Sequence, residues 1–250
     1  MHARRLYAHR GASAEFPENT LPAFDRAIEC GVDALEMDVH LSRDGQLIVA
    51  HDELATRTTG SALAWSALDL ADAQRLDAGW GFLAKDGTRP FAGKGIAVTT
   101  FDHVLATYRD VHINVDLKGD SVDAMLALIE KHDARERVTL ASFQTTTLVR
   151  VRRRGYTGET GLSSGEVALL AALPAIAWRA LPFTGAAAQL PVKQGPLHFD
   201  RPAFIAKCHS LGLRLDFWVI DDPAEAARLL ALGADGIMTN DPHAIAHLFR

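Results

Sequence analysis

Only two cysteines occur in 250 residues, Cys30 and Cys208. A disulfide framework needs more, and each lies in a helical pattern, so both read as buried thiols. Aromatic residues are sparse at 7%, and neither sign of charge dominates, with a formal net charge of −5. Non-specific nucleic-acid binding wants a basic surface, so no nucleic-acid partner is expected. The arginines at Arg150, Arg152, Arg153 and Arg154 read instead as the solvated face of one helix. Long apolar runs are missing as well. The longest, from Val167 to Trp178, is interrupted by Pro174, and a bilayer span needs about 20 residues. Stable membrane insertion is therefore not expected. That run reads as a barrel-packing helix before it reads as a membrane-contacting lid. His2, Ala3, Arg4 and Arg5 lead straight into an apolar strand pattern without the apolar core of a leader, so the cytoplasm is the expected location. Internal repeats and low-complexity segments are absent.

What is present is apolar matter in alternation. Hydrophobic residues make up 48% of the chain, enough for a large core, and the length suits one α/β barrel domain over 1–250. Strand-like runs fall near 6–9, 35, 47, 115, 138–143, 156–162, 186–191, 213–220 and 236–239. Helical patterns fall between them, near 121–132, 145–154, 165–173, 202–211, 223–232 and 243–249. The first helix has Asn19 or Thr20 to cap it, Pro22 in its first turn and Gly31 at its end. This βα rhythm predicts a closed (β/α)8 TIM barrel. Residues 53–98 break the rhythm. They carry seven glycines and prolines between Gly60 and Gly95 and one short helical piece, which marks a functional loop or an insertion.

The chemistry sits near strand ends. In Ala34-Leu35-Glu36-Met37-Asp38-Val39-His40, Glu36 and Asp38 are two apart and share a strand face. Two carboxylates on one face of an apolar strand are costly unless a cation or partner neutralises them. Asp44-Gly45 signals a tight turn, so the next strand returns and brings His51 alongside. Ile113-Asn114-Val115-Asp116-Leu117-Lys118 adds Asp116 and Lys118 on one face. Leu6-Tyr7-Ala8-His9-Arg10-Gly11 ends in a polar, glycine-terminated cluster. Separate strands thus deliver His, Arg, Lys and carboxylates towards one mouth, as a metal-dependent site for a phosphorylated substrate requires. The hard donors Glu36, Asp38 and Asp116 suit one divalent cation, Mg²⁺ or Ca²⁺. Zn²⁺ suits less, for want of a tight His/Cys cluster.

The chain resembles the glycerophosphodiester phosphodiesterases. The resemblance rests on His9-Arg10-Gly11, Pro17-Glu18-Asn19-Thr20, Glu36-x-Asp38, Asp44-Gly45 and Val49-x-His51-Asp52. It continues through Asn114-Val115-Asp116-Leu117-Lys118, Ser142-Phe143, Trp218 and the closing run from Gly233 to Pro242. These motifs keep family order from residue 6 to residue 242. Two departures stand out. Asp116 occupies a position that is more often Glu, and Val219 follows the tryptophan where Thr is common.

The resemblance implies hydrolysis of a glycerophosphodiester, such as glycerophosphocholine or glycerophosphoethanolamine, to sn-glycerol 3-phosphate and an alcohol. It implies that His9 and His51 share general acid and base roles, with the order of roles open. Arg10 and Lys118 read either as phosphate clamps or as partners of the acids. Trp218 and Phe143 read as walls of the substrate pocket or as plain core. His40 shares the face of Glu36 and Asp38, yet is expected beyond the mouth as a loop residue. Residues 53–98 are expected to form a small subdomain capping the site. Three rivals are a lysophospholipase D or sphingomyelinase-D-like enzyme, a non-catalytic phosphodiester-binding module, and an unrelated metal-dependent barrel hydrolase. The oligomeric state is not readable, a homo-oligomer included.

Overall fold

Leu6 and Ala8 face one way on the first strand and Tyr7 and His9 the other, and the same two-residue period organises the whole sheet. The computed structural model describes residues 2–178 and 185–250. Its strands are β1 (Arg5–His9), β2 (Ala34–Leu41), β3 (Leu47–Val49), β4 (His112–Leu117), β5 (Val138–Ala141), β6 (Ala187–Leu190), β7 (Lys193–Gln194), β8 (Leu197–His198), β9 (Arg214–Phe217) and β10 (Gly236–Thr239). Seven of them run in the order β5-β4-β2-β1-β10-β9-β6. All pairings along that path are parallel.

Segment 159–162 joins the two edges of this sheet. Leu140 bridges Thr160, and Gly161 bridges Ala187, both in parallel. Gly161 N–H donates to the Leu140 carbonyl at 2.9 Å, and Leu162 N–H to that of Ala187 at 2.9 Å. The segment is the eighth stave, reduced to bridges, and the fold is the expected (β/α)8 barrel. β3 lies off the ring, antiparallel to β2, with Val39 opposite Val49. β7 and β8 form a separate hairpin.

Outward residues meet the helices. Leu35, Met37, Ile113, Val115, Val138 and Leu140 are fully or almost fully buried against Phe24, Phe101, Val104, Met125 and Val151. Leu6, Leu215, Phe217 and Ile237 pack likewise against Ile205, Leu229 and Leu230. The run from 167 to 178 breaks at Pro174 into helices Ser164–Ala172 and Ala175–Trp178, and its Val167, Leu170 and Trp178 belong to this second cluster, as a barrel-packing role requires. The first helix, Leu21–Glu29, has Thr20 at its N-cap and buries Ala23, Phe24 and Ala27. Ile28, near the end of the helix, is exposed. Among the described residues, no helix is long and apolar enough to cross a membrane. Cys30 and Cys208 are free and buried.

Inward residues are largely polar, so the barrel interior is a hydrogen-bonded network. The Tyr7 hydroxyl donates to Asp216 at 3.0 Å, Arg214 donates to Asp216 at 3.1 Å, and Gln189 donates to Asn114 at 2.8 Å. His112 lies 2.8 Å from the Thr139 hydroxyl, and burial pushes its pKa down to about 4. Between pH 6.5 and about 4 the unfolded chain therefore binds a proton that the folded chain refuses. Stability should fall as pH drops through that window. His112→Gln, which keeps a polar group beside Thr139, should flatten the fall seen in denaturant melts at pH 7 and pH 4. An unchanged slope would remove His112 as a source of acid sensitivity.

Residues 53–98 form helix Thr56–Thr59, a 3-10 turn at Trp65–Ala67 and helix Leu70–Ala73. Trp65, Leu68, Ala73, Ala78 and Val98 bury themselves on Ile48 and Ala50. Phe82 stacks edge-on against Phe91 at 5.0 Å, and Phe91 packs on Phe16 of the β1–helix loop at 5.3 Å. The segment thus has a small core of its own, continuous with β3.

Candidate active site

Parallel register assembles the mouth. His9 pairs with Glu36 across β1 and β2. Glu36 pairs with Asn114, and Asp38 with Asp116, across β2 and β4. Period-two alternation turns Glu36, Asp38 and Asp116 inward, where all three are buried. Lys118 follows β4 and reaches back, its Nζ 2.5 Å from Asp116 Oδ2 and 3.2 Å from Asp38 Oδ1. Arg10 Nε lies 3.4 Å from Asp38 Oδ2, while Arg10 Nη1 donates to Glu18 at 3.1 Å. The Arg10 backbone N–H donates to Glu36 Oε2 at 3.1 Å.

The backbone contorts to allow this. Arg10 and Gly11 both have positive φ, 57° and 82°. A Cβ on Gly11 would lie 2.7 Å from the Ala23 backbone carbonyl carbon. Gly11→Ala should cost about 2–3 kcal/mol in a denaturant melt, from strain plus clash. A loss under about 0.5 kcal/mol would show that the loop yields freely.

Three carboxylates stand against two cations, and one of those, Arg10, is shared with Glu18. Burial, reinforced by Asp38, pushes the Glu36 carboxyl well above its usual range. Burial lifts Asp116 to about 6 despite Lys118 beside it. Burial alone would depress Lys118, but Asp116 and Asp38 outweigh it and hold the ammonium charged. Asp38 Oδ2 and Asp116 Oδ1 are buried without a hydrogen-bond donor. Among the described residues, no three His, Cys, Asp or Glu side chains are closed round one point as ligands. Glu36, Asp38 and Asp116 are neighbours by register, but Lys118 and Arg10 hold them. Their donor chemistry nonetheless fits a hard divalent cation: buried oxygens, surplus negative charge and two oxygens without a donor.

The two histidines are held in different ways. His9 Nδ1 lies 2.7 Å from Asn240 Oδ1. The Asn240 side-chain amide donates to Asp221 at 2.9 Å, and so does its backbone N–H at 2.7 Å. Asp221 therefore fixes which end of the amide faces His9. His9 must donate through Nδ1–H, leaving Nε2 as a proton acceptor, 3.9 Å from Glu36 Oε2. Burial pushes the His9 pKa down, which favours the neutral ring. His51 Nδ1 instead meets a carboxylate, Asp52 Oδ1, at 2.7 Å. Burial would raise Asp52, but hydrogen bonds from Arg57 and His51 hold it at about 2. His51 thus faces a carboxylate where His9 faces a neutral amide.

Phe143 and Trp218 meet edge to face at 6.0 Å, with Lys118 Nζ 5.8 Å from the Phe143 centroid. Phe143 is more than half exposed, so it is no plain core residue. Trp218 packs on Tyr7, Ala34 and Met238. By register and contact the structure links His9, Arg10, Glu36, Asp38, Asp116, Lys118, Phe143 and Trp218, and it sets the His51 carbonyl against His40. It corrects one placement: His40 is part of β2, with Nε2 2.9 Å from the His51 carbonyl, and anchors that backbone. Sequence reading passed over the orienting groups Asn240, Asp221, Asp52 and Arg57. Asn240 and Asp52 lay inside quoted motifs, which was the available signal.

Known proteins resemble this chain in sequence and in fold. Residues 9–244 match the model of the glycerophosphoryl diester phosphodiesterase family. A glycerophosphodiester phosphodiesterase of Caldanaerobacter subterraneus is 31% identical over 98% of this chain and 97% of its own length. A glycerophosphoryl diester phosphodiesterase domain from Mycobacterium tuberculosis superposes with a TM-score of 0.87, at 19% identity, over 99% of this chain and 100% of that one. An Oleispira antarctica phosphodiesterase, solved in complex with the product sn-glycerol-3-phosphate, superposes with a TM-score of 0.80 at 20% identity, over 98% of this chain and 96% of that one.

Proposed function

The chain belongs to the glycerophosphoryl diester phosphodiesterase family and is a phosphoric diester hydrolase, and on that premise we propose the details of its reaction. The substrate is a small glycerophosphodiester, such as glycerophosphocholine or glycerophosphoethanolamine. The products are sn-glycerol 3-phosphate and the free alcohol, and the product held by the Oleispira phosphodiesterase supports that choice. The observation that carries the reading is the mouth itself: two differently oriented histidines flank buried carboxylates backed by Arg10 and Lys118.

Glu36, Asp38 and Asp116 would hold one divalent cation, Mg²⁺ or Ca²⁺. When bound, such an ion neutralises charge gathering on the phosphoryl oxygens. Arg10 and Lys118 clamp the same oxygens with N–H donors fixed in advance. His9, neutral and with Nε2 open, takes the proton from the attacking hydroxyl. That hydroxyl is the glycerol 2-OH on the route through a cyclic phosphate, which water then opens at the 2-oxygen to give sn-glycerol 3-phosphate, or water itself on the direct route. His51, backed by the Asp52 carboxylate, gives a proton to the leaving alkoxide. Phe143 and Trp218 wall the alcohol side, and residues 53–98 cap the mouth. The unpaired thiols of Cys30 and Cys208 suit a reducing compartment, and the reading places the enzyme in the cytoplasm.

The test is release of the head-group alcohol from a panel of glycerophosphodiesters and lysophospholipids, with Mg²⁺ or Ca²⁺ added, glycerol 3-phosphate being the companion product of the former and lysophosphatidic acid that of the latter. The glycerophosphodiesters should turn over with kcat/KM at least about tenfold above any lysolipid, as orientation by a small polar pocket implies. Preference for a lysolipid would move the enzyme to the lysophospholipase D class.

A further inference from the structure

Arg57 belongs to the insertion, not to the barrel, yet it touches the supports of both catalytic loops. Its Nη1 and Nη2 grip Glu18 Oε2 and Oε1 at 2.5 and 2.8 Å, a bidentate pair. Its Nε donates to Asp52 Oδ2 at 2.7 Å. Glu18 Oε1 also accepts from Arg10 Nη1, and Asp52 Oδ1 faces His51 Nδ1. One unbroken chain therefore runs Arg10–Glu18–Arg57–Asp52–His51. It links the β1 loop, which carries the phosphate clamp, to the β3 loop, which carries the proton donor.

We propose that Arg57 is a positioning residue for this reaction: it couples the insertion to catalysis by holding Glu18 and Asp52 on one guanidinium, and through them Arg10 and His51. The proposal rests on the acid role read above for His51. Three features support it. The carboxylates of Glu18 and Asp52 converge on one cation, so removing it leaves two like charges facing each other. A guanidinium presents a planar fork that serves one carboxylate with two N–H groups and a second with Nε–H; a lysine ammonium cannot do this in the same plane. The backbone that carries Arg57 is itself seated. Gly81 N–H donates to the Thr58 carbonyl at 2.9 Å, and a Cβ on Gly81 would lie 2.3 Å from the Arg57 carbonyl oxygen. Residues well along the insertion thus press against the turn that aims the guanidinium. Surface ion pairs contribute little to stability, and Arg57 is about half exposed, so its value lies in geometry more than in folding energy.

The chemistry separates positioning from general support. A poor leaving group needs its proton, whereas p-nitrophenolate does not. The substrates are glycerophosphocholine and the p-nitrophenyl ester of glycerol 3-phosphate, so the attacking 2-OH is present in both. The enzymes are the full chain as wild type, Arg57→Ala, Arg57→Lys, Arg57→Gln and His51→Ala. Misaligning a donor by about 1 Å costs on the order of 10²-fold, so Arg57→Ala and Arg57→Lys should lose about 10–10²-fold in kcat on glycerophosphocholine. On the aryl ester the loss should be several-fold smaller. Ethylguanidinium at millimolar concentration should restore part of the Arg57→Ala rate, and equimolar ethylammonium should not. If Arg57→Ala does not fold, Arg57→Lys and Arg57→Gln carry the same comparison.

Wild-type kcat in Arg57→Lys overturns the proposal, because one point charge would then suffice. So does an equal loss on both substrates, which would make Arg57 a general prop. His51→Ala separates this failure from failure of the underlying reading. If His51→Ala loses selectively on glycerophosphocholine while the Arg57 variants do not, the acid role stands and Arg57 is dismissed. If His51→Ala loses equally on both, the acid role falls and the proposal falls with it.

Discussion

Chelation by EDTA should abolish turnover, and Glu36→Gln or Asp38→Asn should do the same without unfolding the chain. Register forces the carboxylates together: Asp38 sits beside Asp116, and Glu36 is two residues from Asp38 on the same strand face. Among the described residues Arg10 and Lys118 are the Arg and Lys side chains paired with them, and Arg10 is shared with Glu18. Such a cluster is costly in a barrel interior unless something repays its desolvation. On the reading proposed above, a hard cation bound there would convert surplus carboxylate charge into stabilisation of a phosphoryl group. Replacing one acid with its amide removes a hard ligand while leaving volume almost unchanged. Folding should survive, because the amide relieves repulsion that burial has already made expensive. Asp116→Glu should be the mildest change, since it lengthens one ligand and restores the residue more common in the family. Rates in EDTA, then after return of Mg²⁺ or Ca²⁺, measure the effect, with circular dichroism as the folding control. Undiminished turnover in EDTA by a folded enzyme would remove the cation from the account.

His9→Ala and His51→Ala should each lower kcat by about 10²–10⁴-fold, the range for losing a positioned acid or base. Binding of a non-hydrolysable phosphonate analogue should change little, because Arg10, Lys118 and the acids remain. The two variants should differ in kind. His9 is held by a neutral amide and left with Nε2 open, so its loss strips the attacking hydroxyl of its base. That deficit should persist whatever the leaving group. His51 is held by an ionised carboxylate, so its loss strips the leaving alkoxide of its proton. That deficit should shrink on a p-nitrophenyl ester. Identical leaving-group dependence in the two variants would reverse or erase the assignment of base and acid.

Much of this was legible in the chain because period and order are local. Alternation placed Glu36 and Asp38 on one face, and Asp44-Gly45 announced the return that brings His51 alongside. The closing stave at 159–162 showed as a strand pattern although it pairs only through bridges. What could not be read was long-range pairing. Nothing near His9 announces Asn240, which lies 231 residues away, nor that Asp221 would fix the orientation of that amide. Glu18 and Arg57 are 39 residues apart, in a loop and an insertion whose packing follows no simple period. His40 was misplaced because strand β2 outlasts the point at which barrel strands usually end at the mouth; pairing with β3 extends it to Leu41.

The most direct test is which phosphorus–oxygen bond breaks. Glycerophosphocholine is incubated with the Mg²⁺- or Ca²⁺-loaded enzyme and followed by ³¹P NMR with a parallel assay for choline. The diester signal should give way to sn-glycerol 3-phosphate, through sn-glycerol 2,3-cyclic phosphate if the 2-OH attacks, with one choline released per diester consumed. Phosphocholine and free glycerol as products, or a diester signal that persists with cation-loaded enzyme, would contradict the account.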